Sequence, residues 1–138
     1  MPYKATARRK LTKREQRELD IEIEFIEGVV HRDPTYVEAL QVLGDDYTRR
    51  GRYHEGLKID EQIAQLRPCD PTVLYNLACS YSLTGQSDLA VVALEKAIHV
   101  GYRDFKWLSR DPDLANVRKH PGFAKIRAKA HSVKVKIK

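Results

Sequence analysis

A pattern that returns after 34 residues constrains this chain of 138 residues more than any other feature. The stretch from Val37 to Asp104 carries it at five paired positions: Leu40 and Leu74, Leu43 and Leu77, Tyr47 and Tyr81, Gly51 and Gly85, Ile63 and Ala97. Small residues recur in two further pairs, Gly44 and Ala78, and Gly56 and Ala90. A fixed period of this length predicts stacked helix–turn–helix units, since a single unit cannot bury its own apolar face. The repeats are predicted at about 37–70 and 71–104.

These repeated residues resemble the tetratricopeptide repeat (TPR) family. The family signature is present as Leu-x-x-Leu-Gly-x-x-Tyr at 40–47 and Leu-x-x-Leu-Ala-x-x-Tyr at 74–81, and Pro68 stands at the repeat-closing position. The first leucine of each signature replaces the usual tryptophan. Asp60 stands where a large apolar residue is expected, which predicts a weaker core in the first repeat. The resemblance covers about half the chain and implies an all-α, short TPR-like helical solenoid with an N-terminal helix and C-terminal capping helices.

The residues before the first repeat predict one helix, at about 13–31. Thr12 and Glu15 form a capping-box pattern, in which each side chain can accept a hydrogen bond from the other residue's backbone N–H. Apolar residues then follow at the 4-3-4 spacing of one helix face: Leu19, Ile23, Ile26 and Val30.

The same segment also has a rival interpretation, since residues 21–25 alternate between apolar and polar as a strand does. The capping pattern before them and the Asp33-Pro34 stop after them favour the helix. Because Pro34 also stands at a repeat-closing position, we expect this helix to take the place of a second helix of a repeat. The first helix of that repeat is missing.

The two repeats predict four helices, near 35–49, 54–66, 71–84 and 87–99. Asp33 and Asp70 are each interpreted as an N-cap followed by proline at the first helical position, where a missing N–H costs nothing. Gly51 and Gly85 are expected to supply the turns, and Gly101 a left-handed C-cap.

The chain after the second repeat keeps the repeat register only in part. A third helix of the first type can begin at Phe105, but Asp111-Pro112 interrupts it. Two short helices are predicted from four apolar residues, Leu114, Val117, Phe123 and Ile126. We expect residues 105–130 to cover the apolar edge of the second repeat, as terminal units of solenoids must. Residues 131–138 alternate Val or Ile with Lys and are predicted to be too short and too charged to fold alone.

Charge is distributed unevenly along the chain. Residues 1–14 carry six Lys or Arg and residues 117–138 carry eight, with no acid in either segment, out of 25 basic and 19 acidic residues in all. The ends are therefore basic and the segment between them is acidic. This asymmetry bears on which partners the chain can bind and not on its fold. We predict a basic flexible segment at 1–11, a helical domain at 12–130 and a basic tail at 131–138.

Composition argues against several classes of protein. The apolar runs are much shorter than the roughly 20 residues that span a bilayer, and no apolar stretch follows the basic N-terminus as in a secretory signal. Cys69 and Cys79 are too few and too isolated for a disulfide framework or a zinc site. We expect no membrane association and a cytoplasmic location.

No catalytic motif is present in the sequence. The histidines are scattered without metal-ligand spacing: His31, His54, His99, His120 and His131. Neither cysteine has a histidine at the spacing of a known nucleophile pair, and there is no glycine-rich phosphate loop. We therefore predict a protein that is not an enzyme and that binds no cofactor or metal.

In the TPR family the first helix of each repeat lines a concave groove, so the resemblance implies a candidate partner-binding groove. Its residues are Glu38, Gln41, Asp45, Arg49, Thr72, Tyr75, Asn76, Cys79, Lys106 and Arg110. Some TPR co-chaperones hold a partner's C-terminal carboxylates, and Asn76, Lys106 and Arg110 match three of their five positions. The other two hold Gln41 and Asp45, and Asp45 would repel a carboxylate. A solvated polar face without a specific ligand is the alternative.

The resemblance therefore implies a protein–protein interaction module, such as an adaptor, an assembly factor or a co-chaperone-like factor, that binds a protein or peptide in this groove. The alternative is a nucleic-acid-associated protein whose basic ends gain affinity for a polyanion by releasing counterions. Only Tyr3 and Phe123 place aromatic rings near the ends, so base stacking is not supported. Binding of a polyanion through the basic ends should weaken strongly as the salt concentration rises. Self-association of the chain is a further possibility that the sequence leaves open.

Overall fold

The computed structural model describes residues 10–137, with side chains to Lys134. The α-helices are α1 Lys13–Arg32, α2 Val37–Arg49, α3 Tyr53–Leu66, α4 Pro71–Leu83, α5 Ser87–His99, α6 Phe105–Leu108, α7 Ala115–Arg118 and α8 Phe123–Ile137, with a 3₁₀ helix at Pro112–Leu114. No strand occurs among the described residues, which confirms the prediction of an all-α helical repeat fold.

The capping box that the sequence predicts begins α1. The backbone N–H of Glu15 donates to Thr12 Oγ1 at 3.1 Å, and the backbone N–H of Thr12 donates to Glu15 Oε1 at 3.0 Å. Leu19 and Ile23 are buried in a cluster with the α2 residues Leu43 and Tyr47. The segment is therefore a helix that packs through one face, and the strand interpretation is wrong.

The packing of α1 on α2 repeats in the packing of α3 on α4. The Tyr47 hydroxyl of α2 donates to Glu27 of α1, and the Tyr81 hydroxyl of α4 donates to Glu61 of α3 at 3.2 Å. Both residues of the second bond lie 34 positions after those of the first. By this register, α1 takes the place of the second helix of a repeat, as the sequence predicts.

Glycine is required at the turn of each hairpin and, in the first repeat, where the two helices cross. Gly51 and Gly85 have φ angles of 84° and 78°, a region that other residues rarely adopt. In both turns the next backbone N–H bonds the carbonyl of the repeated tyrosine at 2.8 Å. A Cβ at Gly56 of α3 would lie 2.9 Å from Thr48 Oγ1 of α2, so the two helices cross closely only because this position is glycine.

The predicted N-cap is correct for the second repeat and wrong for the first. Asp70 Oδ1 accepts the backbone N–H groups of Thr72 at 3.0 Å and Val73 at 3.2 Å, ahead of α4. Asp33 is instead the C-cap of α1, and α2 begins only at Val37, after an N-cap without a side-chain bond. The repeat register gives the reason, because Asp33 corresponds to Arg67, the C-cap of α3, whereas Asp70 corresponds to Tyr36, the N-cap of α2.

The cap is longer and more helical than expected. The four predicted apolar residues are buried with residues of α4 and α5, and Leu94 and Ile98 of α5 lie in the same cluster. Residues 131–137, which were predicted as a tail, continue α8. Ala130 and Val133 pack against this core and extend the helical spacing of Phe123 and Ile126, whereas the Val/Lys alternation suggested no such face.

Asp60 forms a polar contact between the two repeats. Its side chain is buried on α3 and accepts a hydrogen bond from the Ser80 hydroxyl on α4. A large apolar residue at this position would leave that hydroxyl without this acceptor. Whether Asp60 weakens the first repeat stays a prediction.

Candidate binding surface

The predicted groove residues divide into exposed and buried groups. Six are exposed, namely Glu38, Gln41, Arg49, Thr72, Lys106 and Arg110. Asn76 is half-buried. The side chains of Asp45, Tyr75 and Cys79 are buried, so they are closed to a partner in this conformation. Asp45 lies on α2, so part of the α2 side is buried as well. The two repeats differ at Gln41 and its repeat equivalent Tyr75, because Gln41 is exposed and Tyr75 is buried.

The chain's own cap covers the centre of the α4 surface. The Tyr75 hydroxyl donates to Asp111 Oδ2 at 2.6 Å, and Cys79 Sγ lies 3.7 Å from the same oxygen. The Tyr75 ring stacks on Tyr102, with centroids 4.2 Å apart and planes 2° from parallel. Burial is the main cause that raises the pKa of both tyrosines above the ordinary value, so their hydroxyls stay protonated and can act as donors.

Two further contacts hold the covering segment in place. Asp111 Oδ1 accepts the backbone N–H of Asp113 at 2.9 Å, which starts the 3₁₀ helix. Asn116 Nδ2 donates to the Ser82 carbonyl of α4 at 3.1 Å. The segment from Asp111 to Asn116 is thus fastened to α4 at both of its ends.

The sequence predicts a cap at residues 105–130 but not that this cap covers the groove surface of α4, because Asp111-Pro112 is interpreted only as an interruption. A signal was present, because Asp70-Pro71 carries the same pair and was correctly interpreted as the start of a helix. If Asp111 had been interpreted in the same way as Asp70, the sequence would have predicted that a new helical turn begins there. It could not have predicted the bond to Tyr75, which joins residues 36 positions apart.

An acidic group lies where α1 meets α2. Asp46 is fully buried, with Asp45 beside it on α2 and Glu22 facing it from α1. Burial contributes most to raising the pKa of Asp46 to about 8, and the neighbouring carboxylates of Glu22 and Asp45 raise it further. Arg49, whose nitrogen is 3.9 Å from Asp46, opposes the shift. Asp46 therefore holds a proton near neutral pH.

A carboxylate clamp is matched at three of its five positions only, and it stays a hypothesis. Lys106 and Arg110 are exposed, and the Arg110 guanidinium lies over the Trp107 ring, 5.9 Å from its centroid. Asn76 is half-buried on α4. In the first repeat, Gln41 is exposed and Asp45 is buried, so a carboxylate there would meet an amide and not a cation.

Comparison with known proteins finds similarity over part of the chain. No family model matches. The chain is 36% identical over 83 residues to a chloroplastic protein of Arabidopsis thaliana, an alignment that covers 58% of this chain and 25% of that protein. It is 32% identical over 90 residues to the peroxisomal targeting signal receptors of Komagataella phaffii and Komagataella pastoris, covering 64% of this chain and 16% of each receptor. The chain thus spans a quarter or less of these relatives.

The names of these relatives refer to the chloroplast and to peroxisomal targeting, so the cytoplasmic expectation stays a prediction. No helix within the described part of the chain is long and apolar enough to cross a membrane. Among the same residues, no group of three or more His, Cys, Asp or Glu side chains could hold a metal ion.

Proposed function

We propose that the chain is a non-enzymatic, protein-binding helical repeat protein that holds a segment of its partner on the exposed surface of α2. The observation that carries the proposal is the contrast between two equivalent helices. The surface of α4 is covered by Asp111 and Tyr102, whereas the equivalent surface of α2 presents Glu38, Gln41 and Arg49 to solvent. The 32% identity to receptors for a targeting signal supports a protein ligand.

The chemistry of this surface suggests the kind of segment it holds. Glu38 and Arg49 are 11 residues apart on one face of α2, which is about 16 Å along the helix. A partner with a basic group toward Glu38 and an acidic group toward Arg49 would match both charges. Such groups are about five residues apart in an extended peptide. Gln41 lies between them and can both donate and accept hydrogen bonds.

A pair of matched variants tests this function. Gln41→Arg places a long cation in the middle of the surface, and Gln65→Arg makes the same change at an exposed position of α3. Proteins retained from an extract by the wild type and by Gln65→Arg, but lost with Gln41→Arg, are then purified and titrated directly. We expect Gln41→Arg to weaken binding by about tenfold or more, near 1.4 kcal/mol. A purified partner that binds all three proteins equally would contradict the proposal.

Polyanion binding is a second candidate because of where α8 places its charges. Lys125, Arg127 and Lys134 are exposed on this helix, so these three cations belong to the folded protein and not to a free tail. We expect Lys125→Gln with Arg127→Gln to shift heparin elution to lower salt. The matched changes Lys58→Gln with Lys96→Gln, at exposed positions of α3 and α5, should have a smaller effect. Equal shifts would show general charge attraction and remove α8 as the site.

A further inference from the structure

An exposed apolar face on α1 takes no part in the contacts described so far. Ile21 is 69% exposed and Phe25 is 66% exposed, the highest values for large apolar side chains among the described residues. They lie four residues apart on one side of the helix. Leu19 and Ile23 lie on the other side and are buried against α2.

The repeat register shows what covers this face elsewhere in the fold. Phe25 corresponds to Ile59 of α3 and to Ala93 of α5, at successive spacings of 34 residues. A Cβ added to Gly44 would lie 3.2 Å from Ile59 Cγ2, so Ile59 packs on α2, the first helix of its own repeat. Ala93 is buried. Among the described residues there is no first helix of a repeat to pack on α1 in this way, so the Phe25 side chain is exposed to solvent.

The open face is a stripe with apolar residues in the middle and charges toward its ends. Its members recur every three or four residues, which keeps them on one side of a helix: Arg14, Glu18, Ile21, Phe25, Val29 and Arg32. Arg14 and Glu18 are exposed and form an ion pair at 3.0 Å.

This stripe is complementary to itself when two copies of α1 run antiparallel with Phe25 on the two-fold axis. Residues equally far before and after Phe25 then face each other. Ile21 faces Val29 of the second copy, and Glu18 faces the oppositely charged Arg32. Gly28 borders this stripe, and a Cβ added there would meet nothing within 4 Å, so the position is not crowded within its own chain.

We propose that a second copy of this chain covers the open face of α1 and that the two copies form a symmetric dimer through antiparallel α1 helices. Each copy presents the same patch to the other, so the pairing closes and does not build filaments. In the dimer, the second copy's α1 covers the face of α1 on which no helix packs among residues 10–137.

The dimer is expected to be weak and reversible. A helix of 20 residues is about 30 Å long, and one helix pair buries less area than the roughly 1,600 Å² of a standard interface. Association should therefore depend on concentration in the micromolar range or above. Salt should weaken it in part, because two ion pairs flank an apolar centre.

Sedimentation equilibrium on the full chain, from about 1 to 500 µM, tests the proposal. We expect a monomer–dimer equilibrium that Phe25→Glu weakens by about tenfold or more. Val92→Glu is the matched control, because Val92 of α5 is 63% exposed and lies outside the stripe. It should leave the equilibrium unchanged, and thermal melting should show that both variants fold. A wild type that stays monomeric throughout would overturn the proposal and leave the face to a different partner.

A charge exchange tests the antiparallel arrangement. Glu18→Arg and Arg32→Glu each place like charges opposite one another in both symmetric pairs, so each should weaken the dimer several-fold. The double variant restores opposite charges and should return close to the wild-type affinity. A double variant as weak as the single variants would overturn the antiparallel register.

Discussion

Polar side chains join successive helices at the scale of single residues. The tyrosine–glutamate bond occurs twice, between Tyr47 and Glu27 and between Tyr81 and Glu61. Ser80 adds a buried bond to Asp60 between α4 and α3. Of these three bonds, the one between Ser80 and Asp60 is buried, so removal of one of its partners would leave the other group unsatisfied away from water.

Two buried serines of α4 provide a test of this view. Ser80 donates to Asp60, whereas the Ser82 hydroxyl has no hydrogen-bond partner within the described residues. We expect Ser80→Ala to lower the free energy of unfolding by about 1–3 kcal/mol. Ser82→Ala should cause no loss or a small gain. Chemical denaturation measures both, and equal losses would contradict a specific role for the bond to Asp60.

The raised pKa of Asp46 makes stability depend on pH in a stated direction. The folded protein holds this proton up to about pH 8, whereas the unfolded chain releases it near the ordinary value of 3.8. The folded state therefore binds more protons between these values. Its stability contribution is fully present below the lower value and is lost as pH rises toward the upper one.

Asp46→Asn should therefore stabilise the protein at alkaline pH. Asparagine resembles the protonated acid and cannot ionise, so the gain in free energy of unfolding should be larger at pH 8 than at pH 4.5. We expect about 1–3 kcal/mol at pH 8, the cost of an unsatisfied buried polar group. Denaturation at the two pH values measures the difference. Equal gains at both would show that Asp46 does not titrate in this window.

Single residues were predictable from the sequence where the repeat determines them and unpredictable where tertiary contacts do. Gly51, Gly85 and the Thr12 cap follow from local backbone requirements, which a sequence pattern expresses directly. The burial of Tyr75 and Cys79 depends on Asp111, more than 30 positions away. No local pattern contains such a contact.

The cap is the element that most changes the protein's binding surface. Its segments pack on α4 and α5, and Leu114, Val117 and Ile126 are fully buried there. Termination of the chain after Gly101 would expose Leu94 and Ile98 of α5. The cap therefore has two effects, since it buries apolar side chains of α5 and also covers the surface of α4.

We expect a chain that ends after Gly101 to aggregate or to lose cooperative melting, because the apolar edge of the second repeat would be open. A chain that ends after Lys134 keeps every described cap contact and should melt as the full protein does. Light scattering and thermal melting check both. If the chain that ends after Gly101 were as stable as the full protein and associated no more than it does, the cap would be an appendage.

The helices of the repeats could be placed from the sequence to within about two residues, and the last helix could not. Periodicity and glycine turns locate α3, α4 and α5 because both recur in each repeat. For α8, Phe123, Ile126, Ala130 and Val133 form a helical face, but the lysines between them suggested a solvated tail. The face becomes evident only once its packing surface on α5 is known.

At the scale of the whole molecule, the two ends of the solenoid differ. The C-terminal end is covered by α6, α7 and α8, while the N-terminal end leaves the stripe around Phe25 open. The polar surface of α2 lies next to that open end, since α1 packs on α2. Both proposed binding surfaces therefore fall in the first half of the chain.

The central claim is that the exposed surface of α2 binds a protein, and site-specific photocrosslinking tests it most directly. A photoreactive amino acid is placed at Gln41 of α2 or, as the control, at Gln65 of α3. We expect Gln41 to yield one main protein adduct that excess unlabelled chain competes away and that purified partner reproduces. Gln65 should not yield it. The same adducts from both positions, or adducts from Gln65 alone, would contradict the account.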